Sequence, residues 1–213
     1  MALNQNLFLK YLQKKFSPKQ KILISISCGI DSTVLYDLIN KSQFFDRKNI
    51  FCIFFDHQKR AEGKYEIEKF INYYGVNIKN GSIDQISINN KYDLISLWDV
   101  LEHVTDLNFT LEKIKALSKD STILIINVPD IDSFVCKLMK SKWPFYLNVH
   151  LYYFNKSSIE SILRKYNYNL IKHFSHWQYL ELGYIIKRAK KYFKLFSFLE
   201  KIVFFLKLSS LPV

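Results

Sequence analysis

Three titratable residues, Asp99, Glu102 and His103, fall within five positions at the end of an apolar run. The run, Tyr92–Trp98, is nearly all apolar and predicts a strand that is covered on both faces of a parallel sheet. In open parallel α/β sheets, ligands bind beyond the carboxyl ends of the strands. A carboxylate and an imidazole there could act as base, acid or metal ligands. The structural alternative is that Asp99 caps a turn and His103 rests on a helix.

A second group of candidate residues follows another apolar strand. Residues 21–27 predict a buried strand, the loop SCGIDS occupies positions 27–32, and 33–40 predict a helix. A small-residue loop that leads into a helix presents backbone N–H groups and the positive end of the helix dipole to a phosphate. Asp56 follows a further predicted strand at 50–55, where a carboxylate can accept both hydroxyls of a ribose. A turn-forming aspartate is an equal alternative at that position.

The elements that would position these residues alternate along the chain. Strands are predicted near 21–27, 50–56, 77–83, 92–98 and 121–127, with helical patterns between them and a sixth strand near 170–174. This alternation is typical of an α/β, Rossmann-like doubly wound, mostly parallel sheet with helices on both faces. A chain of 213 residues suits a single α/β domain spanning 1–213.

The amino-acid composition limits which classes of protein this chain can belong to. The net charge of +12 could mark a nucleic-acid surface, but lysine is over-used together with Asn, Ile, Phe and Tyr, which share A/T-rich codons. A solvated basic surface is therefore at least as good an explanation. The three cysteines have no paired or C-x-x-C spacing, so neither a disulfide framework nor a zinc pattern is predicted, and no metal is assigned.

The same features predict a cytoplasmic protein. There is no signal-peptide pattern, and no apolar run reaches the ~18 residues that a membrane-spanning helix needs. Residues 184–208 mix lysines with phenylalanines, a pattern that could lie on an anionic membrane surface as a peripheral contact. The sequence does not determine the oligomeric state.

The phrase YDLISLWDVLEHV at 92–104 resembles the fourth strand and following loop of class I S-adenosylmethionine-dependent methyltransferases, in particular the ubiquinone-biosynthesis-like and type 11/12 groups. The resemblance continues through STILIINVPDID at 121–132 and HLYYFN at 150–155, so 66–213 form a methyltransferase-like remainder. It implies S-adenosylmethionine as the cofactor and a small-molecule or lipid-linked methyl acceptor.

The resemblance also implies roles for individual positions. Glu102, His103 and His150 would be catalytic residues on the acceptor side. Asp56 would hold the ribose of the cofactor, and Ser82 and Asp84 would lie beside its adenine. The full set assigned to the cofactor is Ser27, Gly29, Asp31, Ser32, Asp56, Ser82, Asp84 and Asp99.

The loop SCGIDS also resembles a different motif, the PP-loop SGG-x-DS of the ATP-pyrophosphatases. With DHQKR at 56–60, its context is similar to that of tRNA(Ile)-lysidine synthases over 6–71, the first β-α-β unit. This resemblance implies ATP with Mg as cofactor and tRNA as partner. Ser27, Gly29, Asp31 and Ser32 match the motif, whereas Cys28 stands at the second glycine.

Three functional interpretations follow from the two resemblances. The glycine-rich cofactor loop of a methyltransferase is replaced here by 27–31, with only Gly29 kept. The first interpretation is therefore an S-adenosylmethionine-dependent methyltransferase with an impaired cofactor loop. The second is an ATP-dependent tRNA-lysidine ligase acting in tRNA processing, and the third is an inactive fusion product.

Overall fold

The computed structural model describes residues 5–27, 30–54, 63–76, 78–80 and 89–175. Five strands form one sheet in the order β3-β2-β1-β4-β5, and each described pair of neighbouring strands is parallel. This arrangement confirms the predicted Rossmann-like, doubly wound fold. The strands are β1 (Ile22–Ile26), β2 (Ile50–Phe54), β3 (Ile78–Asn80), β4 (Tyr92–Trp98) and β5 (Ser118–Asn127).

Helices cover both faces of this sheet, because its central strands are apolar on both sides. The described helices are α1 (Gln5–Lys15), α2 (Ile30–Ser42), α3 (Gly63–Tyr74), α4 (Leu107–Leu117), α5 (Phe134–Met139) and α6 (Lys156–Arg164). Apolar residues of α1, α2 and α3 pack with Ile22, Ile24 and Ile26 of β1 on one face. Residues of α4 and α6 pack with Leu23 and Ile95 on the other.

A buried carboxylate fastens the amino-terminal edge of the sheet. Asp93 at the start of β4 accepts hydrogen bonds from Lys119 Nζ at 2.7 Å and from the Lys21 backbone N–H at 2.9 Å. Gln20 Nε2 donates a third, at 3.1 Å. Burial raises the pKa of Asp93, but these hydrogen bonds and the Lys119 charge outweigh it and hold the pKa below its ordinary value. The contacts join β1, β4 and β5 at the edge opposite to the candidate site.

One predicted strand is described only in part, and another is absent from the described residues. The third strand is described at Ile78–Asn80, within the predicted range 77–83, and 77 and 81–88 lie outside the described residues. The sixth strand predicted near 170–174 is wrong: these residues have no regular structure and are exposed. A strand requires a neighbouring strand for its backbone hydrogen bonds, and 170–174 pair with no strand of the described chain.

Of the helices in the described ranges, none is both long enough and apolar enough to cross a membrane.

Candidate functional site

The turn that follows β4 buries part of itself against the core. Asp99 adopts a left-handed backbone conformation with φ of 52°, which aspartate tolerates better than most residues. Val100 and Leu101 then enter the core beneath α4 with 2% and 0% of their surfaces exposed. The His103 backbone N–H donates to the Val100 carbonyl oxygen at 3.0 Å and closes the turn. Because its apolar residues anchor the turn, the polar residues beside them are held in fixed positions.

Glu102 is the unusual member of this turn. Its side chain is buried, with 1% of the residue exposed, and neither carboxyl oxygen has a hydrogen-bond partner among the described residues. Burial, followed by the nearby Asp99 charge, raises the pKa of Glu102 to about 8, against the opposing effect of the residue's own backbone N–H. A buried carboxyl group without partners costs folding free energy, so this residue requires an explanation other than packing.

The second half of the site comes from a loop that lies far away in the sequence. The Glu102 carbonyl oxygen accepts hydrogen bonds from the backbone N–H groups of Leu151 at 2.7 Å and Tyr152 at 3.3 Å. His103 Nδ1 lies 3.0 Å from the Val149 carbonyl oxygen. A carbonyl oxygen only accepts, so Nδ1 of His103 carries a proton, and Nε2 is the acceptor in the neutral form of the ring. These bonds align the loop on the turn.

His150 lies in this loop and contacts the turn with its ring. The centroids of the His103 and His150 rings are 4.7 Å apart in an edge-to-face arrangement. His150 is 8% exposed, and its Nδ1 has no hydrogen-bond partner in the described part of the chain. Burial and the neighbouring His103 lower the pKa of His150 to about 4, against the opposing effect of a backbone hydrogen bond with Phe145. The ring is therefore neutral at physiological pH.

The three side chains predicted on the acceptor side form one cluster. One ligating atom each of Glu102, His103 and His150 lie within 4.8 Å of one another. Aromatic rings border the cluster: Tyr153 is 6.0 Å from His150, and Tyr146 is 5.3 Å from Tyr153, measured between ring centroids. Both tyrosines are partly exposed. The structure thus brings the predicted acceptor-side residues together beside an accessible aromatic surface; their catalytic role stays a prediction.

Asp99 has a partner that the sequence analysis missed. Asn127, the last residue of β5, donates from Nδ2 to Asp99 Oδ1 at 3.0 Å, and its carbonyl oxygen accepts from the Asp99 N–H at 3.1 Å. A polar residue directly after the apolar run 123–126 of β5 is the signal that could have identified it. The two bonds orient the Asp99 carboxylate at the carboxyl edge of the sheet.

The end of β1 lies at the same edge, because β1 and β4 are adjacent and parallel. The Trp98 backbone N–H donates to Ser25 Oγ at 2.9 Å and joins the two strand ends. Ser27 donates its N–H to Ser32 Oγ at 3.2 Å, and the two hydroxyls also lie 3.2 Å apart. Asp31 lies in the first turn of α2.

This edge can be compared with what a bound S-adenosylmethionine requires. Helix α2 begins at Ile30, shortly after β1 ends at Ile26, so its amino-terminal turn points backbone N–H groups toward the edge. Such groups suit the carboxylate of an amino-acid moiety, while the Asp31 charge opposes it. Asp99 supplies an acceptor for hydroxyl or amino groups. The described residues fit an amino-acid nucleoside, with one unfavourable charge.

Several predicted positions lie outside the described residues. They are Gly29, Asp56, Ser82 and Asp84 of the cofactor set, together with the segments 56–60 and 184–208. Their predicted contacts with phosphate, ribose, adenine and a membrane surface stay predictions.

The sequence model of one protein family, described as a methyltransferase domain, matches residues 3–173. The matched range includes the whole segment 6–71 whose loop resembles a PP-loop, so one family model covers both resemblances over the described chain up to 173. No curated protein matches the chain.

Solved structures share the fold at low sequence identity. The YcgJ protein of Bacillus subtilis is 14% identical with a TM-score of 0.56, over 87% of this chain and 76% of that one. The PH0226 protein of Pyrococcus horikoshii is 15% identical with a TM-score of 0.51, over 84% and 82% of the two chains. A SAM-dependent methyltransferase of Thermotoga maritima is 16% identical with a TM-score of 0.50, over 79% and 76%.

Proposed function

The chain belongs to the methyltransferase domain family, and from that membership we propose that it transfers a methyl group from S-adenosylmethionine to a small-molecule or lipid-linked acceptor. The observation that carries the proposal is the family match over 3–173, which includes each strand of the described sheet. The cofactor supplies an electrophilic methyl group on a sulfonium centre. The chain's own residues bind it, orient the acceptor and exclude water.

The cofactor end of the proposed site is the carboxyl edge of β1 and β4. The amino-terminal turn of α2 binds the amino-acid moiety, and Asp99, oriented by Asn127, accepts a hydrogen bond from the nucleoside moiety. Asp56, Ser82 and Asp84 complete this half of the site in the proposal.

The acceptor end is the cluster of Glu102, His103 and His150. Its support is the geometry: three groups capable of holding protons or ligands lie together beyond the end of β4, at the strand edge where ligands bind in this fold. The exposed rings of Tyr146 and Tyr153 beside His150 suit an acceptor with an apolar or aromatic part.

Cofactor binding is weaker than in a methyltransferase with an intact glycine-rich loop. Glycine lets a backbone approach a ligand closely, and the chain keeps only Gly29 in this loop. Ser27 and Ser32 are hydrogen-bonded to each other, and Asp31 places a negative charge near the expected position of the cofactor's carboxylate.

Titration calorimetry of the full chain with S-adenosylhomocysteine tests the proposal, with Mg-ATP as the comparison ligand. We expect one site for S-adenosylhomocysteine, with a Kd that is raised but still measurable in Asp99→Ala, and no binding of Mg-ATP. Asp120→Ala is the control, because Asp120 is exposed near the opposite end of β5. Binding of Mg-ATP without binding of S-adenosylhomocysteine would overturn the proposal in favour of the ligase interpretation. Binding of neither ligand would favour the inactive fusion product.

A further inference from the structure

The cluster of Glu102, His103 and His150 at the acceptor end contains buried polar atoms that have no hydrogen-bond partner among the described residues. Both carboxyl oxygens of Glu102 and the Nδ1 atom of His150 are buried and have no hydrogen-bond partner among the described residues. Each such group costs folding free energy when it stays unpaired. Two of them in contact with a third ligand, His103, indicate that a further component completes the cluster.

The third member of the cluster is oriented as metal-bound histidines are. The Val149 carbonyl oxygen fixes the proton of His103 on Nδ1. A histidine that binds a metal ion through one ring nitrogen usually donates from the other to a carbonyl or carboxylate, which fixes its tautomer and ring orientation. The backbone bonds of Leu151 and Tyr152 to Glu102 hold the two halves of the cluster in register.

A bound cation would balance the charge that the Glu102 carboxyl group carries once it is ionised as a metal ligand. No lysine or arginine in the described ranges is ion-paired with Glu102. Neutral imidazoles and carboxylates are the ligands of divalent metal ions, whereas a buried carboxylate without a cation is unfavourable.

We propose that Glu102, His103 and His150 bind a divalent first-row transition-metal ion. One carboxylate and two imidazoles suit Zn²⁺, Fe²⁺, Co²⁺ or Mn²⁺ better than Ca²⁺ or Mg²⁺, which prefer oxygen ligands. The separations of up to 4.8 Å need only a small closure for all three atoms to lie about 2.0–2.2 Å from one ion. Three protein ligands leave positions open on the ion, and an oxygen atom of the methyl acceptor can fill one.

This metal site extends the proposed function, and metal binding can be tested without a methyltransferase assay. The experiment uses the full chain, stripped with a chelator and titrated with Co²⁺ while its visible d–d absorption is recorded. We expect one Co²⁺ per chain in the wild type. Glu102→Gln and His150→Gln remove one ligand each and should weaken Co²⁺ binding by about 100-fold or more, since changing even an outer partner costs 10–100-fold. His173→Gln is the matched control, because His173 is exposed and outside the cluster.

A folding readout accompanies each titration. The chelated Glu102→Gln chain should unfold at a temperature no lower than that of the chelated wild type, because the carboxyl group it replaces has no partner. Added Zn²⁺ should raise the unfolding temperature of the wild type and of His173→Gln, but not of Glu102→Gln. The metal site is excluded if the wild type binds no stoichiometric Co²⁺, or if binding is equal in the wild type, Glu102→Gln and His150→Gln.

Calorimetry with S-adenosylhomocysteine on the same samples separates the two proposals. Loss of Co²⁺ binding with retained S-adenosylhomocysteine binding would remove only the metal site. Retained Co²⁺ binding without S-adenosylhomocysteine binding would contradict only the proposed methyltransferase function.

Discussion

His103 Nδ1 lies 3.0 Å from the carbonyl oxygen of Val149, 46 residues later in the chain. This bond fixes the tautomer of His103 and places the next residue, His150, against its ring. The turn after β4 therefore becomes a candidate site only when the loop of 149–152 docks on it. Four predictions follow from this site and from the sheet that supports it.

Replacing Glu102 by methionine should stabilise the metal-free chain. The buried carboxyl group has no partner in the described region, and methionine fills a similar volume without a polar group. We expect the free energy of unfolding to rise by about 1–3 kcal/mol at pH 7, the cost of an unsatisfied buried group. Denaturant unfolding in the presence of a chelator measures it.

The control for this variant is Glu112→Met, at an exposed position of α4, which should leave the free energy of unfolding nearly unchanged. A destabilised Glu102→Met chain would indicate that Glu102 has a structural partner.

Asp93 should make the stability of the chain depend on acid pH. Its folded-state pKa lies below its ordinary value, so its stabilising contribution is present above about pH 4 and is lost as the pH falls through the lower folded-state pKa. Asp93→Asn should cost about 1.5–3 kcal/mol at pH 7, because it removes charge-assisted hydrogen bonds from Lys119 and the Lys21 backbone.

Denaturant unfolding of both chains between pH 7 and pH 2 tests this dependence. The difference between wild type and Asp93→Asn should be constant above about pH 5 and shrink below about pH 4. Asp46→Asn, at an exposed position, is the control. A difference that stays the same at low pH would contradict the assignment.

Asn127 should act on cofactor binding through Asp99. Asn127→Ala removes the Nδ2 donor that orients the Asp99 carboxylate, while the backbone bond between the two residues is retained. We expect the Kd for S-adenosylhomocysteine to rise about tenfold, which corresponds to about 1.4 kcal/mol. Titration calorimetry measures the Kd.

Combining the substitutions identifies the route of this effect. In an Asp99→Ala background, Asn127→Ala should have little further effect on the Kd, because the carboxylate that it orients is gone. Additive effects of the two substitutions would show that Asn127 contacts the cofactor independently.

Asp31 should reduce the contribution of the cofactor's amino-acid moiety to the binding free energy. Its charge in the first turn of α2 opposes the carboxylate of the amino-acid moiety. S-adenosylhomocysteine and adenosine should therefore bind the wild type with similar Kd values, and Asp31→Asn should strengthen only S-adenosylhomocysteine, by several-fold. Competition titrations with both ligands measure these values. A strong wild-type preference for S-adenosylhomocysteine would show that the loop still holds the amino-acid end.

The sequence by itself determined the layers of this protein. Nearly continuous apolar strands, such as Tyr92–Trp98, are buried in a sheet that is covered on both faces, and the helices between them make the strands parallel. The carboxyl ends of parallel strands share one edge, so the polar residues after β4 could be assigned to a ligand-binding edge. The predicted strand near 170–174 failed because an apolar pattern does not reveal whether a pairing partner exists.

The tertiary structure alone decided how the site residues meet. His150 is placed beside Glu102 and His103 by hydrogen bonds that involve backbone carbonyl and N–H groups. Nearly every residue carries these groups, so the residue types in the sequence do not predict which of them pair. The burial of Glu102 is equally invisible in the sequence, since a glutamate in a turn is normally solvated. The packing of Val100 and Leu101 beneath α4 draws that carboxyl group into the interior, where it lies within 4.8 Å of ligating atoms of two imidazoles.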